Sequence, residues 1–530
     1  MNIFSVRFLI FLIISLCLYY TAARRKQWVL ILTANLVFYA FSGYENLIFI
    51  AVTTVSTWLG ARLMEGFEGK SKAERKAVES REDKQRIKKL WLFRKRLVLA
   101  AVLVLNFGIL GVLKYTGNIL SLLGLNGPDG AFGAPGGAAS LILPLGISFY
   151  TFQSTGYLID IYGAKYEAEK SLPRYAAFVS FFPQLIQGPI NRYDELKTTL
   201  FTTHRLSVGV VRHALLRFAF GALKKFAVAD LLSGSVSAIL DSTDTSLHGM
   251  TVAAGILMYG IQQYTDFSGG IDMVMAVAEL FGVRMRENFR QPYFSISIGD
   301  FWRRWHISLG AWMRDYVFYP FALTKPMQRL GKRGTGEFGK HFFKVLPACL
   351  ANILVFFLVG LWHGAELHYI LWGLYNGILI ALSDVLAPVF TRFSGFLKIN
   401  SQSRGMYIFR VIRTFTLVHI GWYFDRIYDF EMMKVFLKNT VFHFDPAASI
   451  PELHALVSGK LTKWTVQIIV ISYAITALVS VFKEKEMDIY KMLYNRTVVF
   501  RWVLYLIIFH LIQLALIYGT ATESFMYAFF

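Results

Sequence analysis

The chain has 530 residues, of which 55% are hydrophobic, 16% aromatic and only 17% charged. That balance excludes an ordinary soluble enzyme and points to a polytopic membrane protein. The formal net charge of +21 lies between apolar runs, where orientation signals belong, so it argues for membrane topology and against nucleic-acid binding.

A hydrocarbon core takes about 20 apolar residues per helical span, and the runs here predict about ten to twelve spans. Residues 3–22 (IFSVRFLIFLIISLCLYYTA) form the first, ended by ARRKQ. No small-residue cleavage site follows it, which predicts an anchor and not a removed signal peptide. WVLILTANLVFYAF forms the second, SGYEN a short turn, and Leu47 to about Leu63 the third. Residues 65–96 are dense in charge of both signs with a basic excess. They cannot lie in lipid and are expected as a cytoplasmic loop with helical character. With Arg24–Lys26 also cytoplasmic, parity places the N-terminus outside. Cys17 and Cys349 both lie in apolar runs and imply neither a disulfide framework nor a zinc site.

Residues 97–115 make a fourth span, followed by LNGPDGAFGAPGGAAS, expected as an exterior loop. In SLILPLGISFYTFQSTGYLIDIYGAKYEAEKS the apolar face is broken by Pro144, Gly146, Gln153 and Asp160. Such a segment packs inside a bundle or lines a cavity, because irregular backbone at membrane depth is tolerated only there. YAAFVSFFPQLIQGPINRYDEL is too short and Pro-interrupted for a span and is expected as a partial or re-entrant helix. RHALLRFAFGALKKF reads as a basic amphipathic helix at the cytoplasmic interface. Further spans are expected near 227–240, 249–264, 374–391, 408–424, 464–482 and 498–519, with FKEKEMDIYKMLYNR a basic loop between the last two. No internal repeat of the kind found in symmetric transporters is visible.

The chemistry concentrates between Tyr264 and Gly377. Taken as one helix, ISIGDFWRRWHISLGAWMRDY places Trp302, Trp305 and His306 on adjoining faces, with Arg303 and Arg304 as fixed positive charge. The cluster suits the floor of a polar cavity or the grip on an anionic or thioester-bearing donor. The bland alternative is an interfacial Trp/Arg belt that anchors a helix end. His363 and Asn352 are the main polar groups from Ala351 to Gly364, in a run long enough to cross a membrane. An ionisable group there is a functional candidate by default. Neutral imidazole takes a proton from a hydroxyl near physiological pH; the alternative is a buried ring bonded to a backbone carbonyl. His368 at the end of the span, and His419 and His510 in apolar runs, make intramembrane histidine undiagnostic by itself. GxSxG, HExxH and GxxxxGK[ST] motifs are absent, so hydrolase, zincin and P-loop chemistry lack their signatures. Asp266 and Asp272 are too isolated from histidine to argue for a metal.

The combination DFSGGIDM, ENF, DFWRRWHISLGAWMRDYVFYP and LWHG resembles the membrane-bound O-acyltransferase (MBOAT) family, and within it the bacterial branch that modifies polysaccharides. LILPLGISFYTFQSTGYLIDIY, FFPQLIQGPINRYDEL, HIGWYFDR and the terminal ESFMYAFF extend the similarity over most of the chain. Length and N-terminal region are closer to alginate O-acetyltransferases than to the shorter D-alanyl transfer proteins of teichoic acid synthesis. Two stretches depart from the family pattern: LTKPMQRLGKRGTGEFGKHFFKVLP, where a GGNR-like turn is common, and the FMYAFF ending.

The resemblance implies an all-α polytopic integral protein of the bacterial cytoplasmic membrane, with tilted transmembrane helices and re-entrant or partial helices ringing a central funnel. It implies one membrane domain over residues 1–530: N-terminal helices 1–140 with the charged loop 65–96, a catalytic core 141–390 and C-terminal helices 391–530. His363 matches the family's catalytic histidine and His306 the second. Asp300, Trp302, Arg304 and Trp305 around His306, and Asp266, Ser268 and Asn288 in the element before it, fall in the donor/acceptor funnel; Phe267 matches that same element. No metal or bound cofactor is implied. The acyl donor is expected to be acetyl-CoA or an acyl-carrier thioester. Expected partners are the bilayer, a hydrolase-like membrane-anchored acyl-transfer protein outside the membrane and an acyl carrier protein inside it. On this reading His363 is a general base or is itself acylated, and His306 positions or polarises the donor carbonyl. D-Alanyl transfer to teichoic acid is the competing expectation within the family, and a glycan-precursor transporter with a histidine proton relay the competing one outside it.

Overall fold

The computed structural model describes residues 3–122, 144–519 and 525–526. Its regular structure is entirely helical among these residues. Among the described residues five helices are long and apolar enough to cross a membrane, or six if one bent pair counts as a span. This is fewer than the ten to twelve expected, because several apolar runs fold as short or interrupted helices. The Gly/Pro/Ala-rich stretch expected as an exterior loop lies outside the described residues.

The chain divides into two compact units, the first holding Met1–Ala214 and Val274–Arg286. It contains α1 (Val6–Thr21), α2 (Gln27–Ala40), α3 (Leu47–Ala77), α4 (Arg81–Leu122), α5 (Ile147–Tyr162), α6 (Leu172–Val179), α7 (Phe182–Gln187) and α8 (Tyr193–Leu200). The charged segment 65–96 has the helical character expected of it and forms no separate loop. α3 and α4 run through it and break only at Val78–Ser80. Arg75 and Lys76 in the last turn of α3, and Glu82 and Asp83 in the first turn of α4, complement the helix dipoles and stabilise both ends. At 31 residues, α3 is roughly 46 Å long against a hydrocarbon core of about 30 Å, so the hairpin projects beyond lipid. Trp91 Nε1–H donates to Glu74 at 2.8 Å and Lys95 to Glu68 at 3.2 Å to tie its two arms.

α5 is buried along nearly its whole length, as its polar interruptions require. The Pro-interrupted run after it forms the short helices α6 to α8, and Asn35 of α2 satisfies the break between α6 and α7. Its Nδ2 donates to Ala177 O at 3.2 Å and its Oδ1 accepts Phe182 N–H at 3.0 Å.

The second unit holds Leu215–Met273 and Glu287–Ala528. α9 (Val208–Lys224) enters it and continues as a π-helical turn, Lys225–Asp230, into α10 (Leu231–Leu240); α11 (Gly249–Leu280) follows. Next come α12 (Ile298–Arg304), α13 (Ile307–Met313), a second π turn at Arg314–Phe318, α14 (Tyr319–Ala322), α15 (Lys325–Leu330), α16 (Gly336–His363), α17 (Leu367–Val385) and α18 (Ala387–Phe396). α19 (Arg404–Arg426), α20 (Phe430–Phe442), α21 (Pro446–Val457), α22 (Lys463–Glu484), α23 (Ile489–Tyr494) and α24 (Val498–Tyr518) complete it. An apolar core of Leu223, Ala227, Leu231, Ile468, Ile508 and Leu511 joins α9, its π turn and α10 to α22 and α24.

The most intimate packing is the α16/α17 hairpin. A Cβ on Gly360 would come within 2.4 Å of Tyr369 O, and one on Gly373 within 2.3 Å of Phe356 O. Glycine is required at both positions for the backbones to touch. Leucine at Gly373 would force the helices apart, with an expected loss of about 3 kcal/mol or more and a lower unfolding midpoint in detergent. Gly395→Ala on α18, with nothing within 4 Å of its Cβ, should leave the midpoint unchanged or raise it. A wild-type midpoint for Gly373→Leu contradicts this packing.

Candidate active site

Ser297 starts α12: its Oγ accepts Asp300 N–H at 3.1 Å, and the Asp300 carboxylate accepts Ile296 N–H at 3.2 Å. This reciprocal capping fixes the helix start. The segment expected to be one helix is two. Trp305 is extended, and His306 takes φ 47° and ψ 51°, a left-handed conformation that a non-glycine residue holds only when its surroundings impose it. Two backbone bonds impose it here, Arg290 N–H to Arg304 O at 2.9 Å and Ile307 N–H to Asn288 O at 3.0 Å.

The Asn288 side chain completes the clamp. Its Oδ1 accepts Ser308 N–H at 3.0 Å and Ser308 Oγ–H at 2.9 Å, and lies 3.3 Å from His306 Nδ1. Ser308 N–H can only donate, so the amide oxygen faces it. His306 Nδ1 must then carry the proton to bond the same oxygen, which leaves Nε2 as an acceptor in the neutral ring. His306 lies outside the candidate spans, and burial pushes its imidazole down to about 3. It is neutral at physiological pH. Polarising a carbonyl by donation from Nε2 therefore requires a second proton that burial opposes; positioning a substrate donor group does not.

His363 is the last residue of α16, buried beside the turn into α17. It therefore stands at a helix end and not mid-span, and His368 lies in the first turn of α17. The His363 ring lies 4.9 Å from Trp362, 5.0 Å from Trp372 and 5.7 Å from Tyr369, centroid to centroid. Trp362 also lies 6.2 Å from the His306 ring, and Phe267 lies 4.9 Å from that ring. Both histidines thus meet one indole. A second aromatic path runs from Trp302, 5.4 Å from Trp372, which in turn touches His363. The Trp302 Nε1–H donates to Asn376 Oδ1 at 3.1 Å and locks α12 onto α17.

The charged neighbours are all paired. Arg304 bonds Glu484 at 2.7 Å and Asp300 at 3.3 Å. Asp266 takes Lys225 Nζ at 2.5 Å, and Lys225 also reaches Asp230 at 2.8 Å. The other Asp266 oxygen accepts Met526 N–H at 3.1 Å. Ser268 accepts from Lys224 at 3.0 Å, and Lys224 and Arg217 both pair with Asp272, at 2.7 and 3.0 Å. Lys224 and Lys225 are buried, so the basic helix expected at the interface turns its lysines inward at this point. Asp266 and Asp272, two of the three acids on α11, require such partners where they are taken out of water. Beside the histidine site lies a cavity of about 500 Å³ lined by Trp302, Arg303, Ile307, Arg314, Asn352 and Asp384, among others.

Residues 167–335 match the membrane-bound O-acyltransferase family. The probable alginate O-acetylase of Pseudomonas aeruginosa is 34% identical over 423 residues, covering 79% of this chain and 70% of that protein. The chain belongs to the MBOAT family. The peptidoglycan O-acetyltransferase of Helicobacter pylori is 30% identical over 373 residues, 66% of this chain and 65% of its own length. The teichoic acid D-alanyltransferase of Bacillus subtilis is 28% identical over 291 residues, 54% of this chain and 69% of its own. Family membership makes the protein an acyltransferase, and its long apolar helices make it an integral membrane protein.

Within this MBOAT chain the sequence-derived site residues fall into three groups. His306, Asn288 and Trp302 are linked to His363 through Trp362 and Trp372. Trp305 packs in the aromatic interior against Phe301, Phe289 and Trp422. Asp266, Ser268, Asp300 and Arg304 are held in hydrogen bonds and ion pairs, while Phe267 carries the DFS element to His306. Sequence reasoning missed Ser308, Trp372, Asn376, Lys224, Lys225 and Glu484. The buried lysines had a signal: adjacent cations in GALKKFAVAD, within reach of acids in an apolar helix.

Asn288→Leu should cost about 10²-fold in acyl transfer through misplacement of His306, whereas Asn288→Asp keeps the acceptor and should retain most activity. Rates per folded protein test this, and an unimpaired Asn288→Leu enzyme contradicts the clamp. Lys225→Met should destabilise by about 3–5 kcal/mol by stranding Asp266, and adding Asp266→Leu should recover part of that loss. Denaturation midpoints of the single and double variants decide it, and equal losses would contradict the pairing.

Proposed function

We propose that this protein transfers acetyl groups from a thioester donor on the cytoplasmic side towards hydroxyls of a cell-envelope polysaccharide. The observation that carries the reading is the meeting of His306 and His363 on Trp362, in a chain similar to alginate and peptidoglycan O-acetylating enzymes. In the reaction the acceptor oxygen attacks the thioester carbonyl carbon, a C–O bond forms and the C–S bond breaks. His363 takes the hydroxyl proton as general base and returns it to the departing thiolate. His306, neutral and with Nδ1–H committed to Asn288, presents Nε2 to hold a substrate O–H or N–H in line.

The cavity beside α12 and α13 is the proposed seat of the donor. Arg303 and Arg314 in its wall supply positive charge for a phosphate-bearing carrier arm, and Trp302 connects it to the Trp372–His363 contact. Acetyl-CoA and a carrier-protein thioester share that arm. Delivery to the polysaccharide by a membrane-anchored, hydrolase-like partner completes the proposal.

Ester content of the cell envelope in a deletion strain tests it. Complementation with the wild-type chain should restore O-acetyl ester, and His363→Ala should restore it at least about 10²-fold less efficiently. Restored D-alanyl ester would overturn the donor assignment. Full restoration by His363→Ala would overturn the catalytic one.

A further inference from the structure

The chain between Thr324 and Pro347 departs from the family pattern and is not used by the acyl-transfer chemistry. It holds six exposed cations: Lys325, Arg329, Lys332, Arg333, Lys340 and Lys344. Among the described residues none of the six enters an ion pair. The one acid in the segment, Glu337, is occupied by Arg392 of α18 at 2.5 Å. Phe338, Phe342 and Phe343 lie among the last of these charges, and Phe338 is half exposed.

α18 lies against this segment through the Arg392–Glu337 pair. It is bent 55° from α17, with which it otherwise passes as one apolar span. The bend turns a ten-residue helix away from the span direction, and it exposes Phe390, Phe393 and Phe396 at 55%, 60% and 83%. A short helix with exposed aromatics, leaving the axis of a span and flanked by unpaired Lys and Arg, matches the boundary between headgroups and acyl chains. An aqueous setting would leave those rings in water, and the hydrocarbon core would strand the cations.

We infer that α18 and the basic segment 325–344 form a seat for anionic phospholipid, with phosphate headgroups on the lysines and arginines and acyl chains under the three phenylalanines. The occupant is set by charge complementarity: a cationic surface over an apolar face fits a lipid that carries both a phosphate and a hydrocarbon tail. The seat adjoins the proposed donor cavity. Asp384 lines that cavity, and its carbonyl accepts from His341 Nε2 of the basic segment at 2.9 Å. Lipid composition would thereby bear on the cavity wall without contacting the histidines.

The test is native mass spectrometry of the purified full chain, titrated with phosphatidylglycerol or phosphatidylcholine. Phosphatidylglycerol should be retained preferentially. The Lys332→Gln/Arg333→Gln/Lys340→Gln/Lys344→Gln variant should retain more than about tenfold less, while Lys332→Arg/Lys340→Arg/Lys344→Arg should retain it as wild type does. Equal thermal midpoints of the variants in neutral detergent exclude misfolding as the cause. Equal retention of the two lipids, or undiminished phosphatidylglycerol on the glutamine variant, overturns the proposal. So does an acidic soluble protein or inorganic pyrophosphate that displaces the lipid from the wild-type chain. None of these outcomes depends on the acyl-transfer assignment.

Discussion

One amide oxygen fixes the geometry on which the site depends. Asn288 Oδ1 gathers Ser308 N–H, Ser308 Oγ–H and His306 Nδ1 at the point where α12 breaks into α13. A buried oxygen with these donors tolerates little displacement, since each lost bond in such surroundings leaves an unsatisfied group. The break turns His306 into a left-handed residue, and that turn carries its ring to Trp362. Neither an unbroken helix nor a free asparagine would do so. The strain at His306 is therefore matched by local bonds that specify its ring nitrogen roles.

The second requirement is that helices approach closely enough for two distant histidines to share one indole. Glycines at 360 and 373 bring the α16 and α17 backbones into contact, and Trp302 fastens α12 to the same hairpin through Asn376. On the other side, buried pairs between the α9 region and α11 hold the DFS element in place. Lys225 with Asp266, and Lys224 with Asp272, are expensive to bury and more expensive to break. Phe267 sits between Asp266 and Ser268, so its contact with His306 inherits the rigidity of that network.

Composition and apolar runs made the helical membrane class legible, because burying backbone in lipid leaves helix as the principal option for such runs. The polar interruptions of α5 correctly indicated burial. Span count was less legible: hydropathy registers how apolar a run is, but not that α1 and α2 end after 16 and 14 residues or that a π turn at Lys225–Asp230 interrupts the run before α10. The charged stretch 65–96 was legible as a segment outside lipid with helical character; that it continues α3 and α4 themselves was not, since charge excludes lipid without fixing where a helix ends. At the site, His306 and His363 were visible as residues that a lipid-facing helix would not carry, and Asn288 only through the family resemblance. Their convergence was not visible, because it depends on a backbone reversal at an ordinary-looking RWHIS and on two tryptophans that read as membrane-belt residues. Lys224 and Lys225 were assigned to the surface for the same reason: amphipathicity gives a face, while its partner face on α11 lies far along the chain.

The central claim is that His306 and His363 act as one unit across Trp362. The most direct measurement is a double-mutant cycle on single-turnover acyl transfer with His306→Ala, His363→Ala and the pair. If they form a unit, the double variant is no slower than the slower single, as expected for groups that serve one transition state. If the two losses multiply, the histidines work independently, and their shared contact with Trp362 is packing alone.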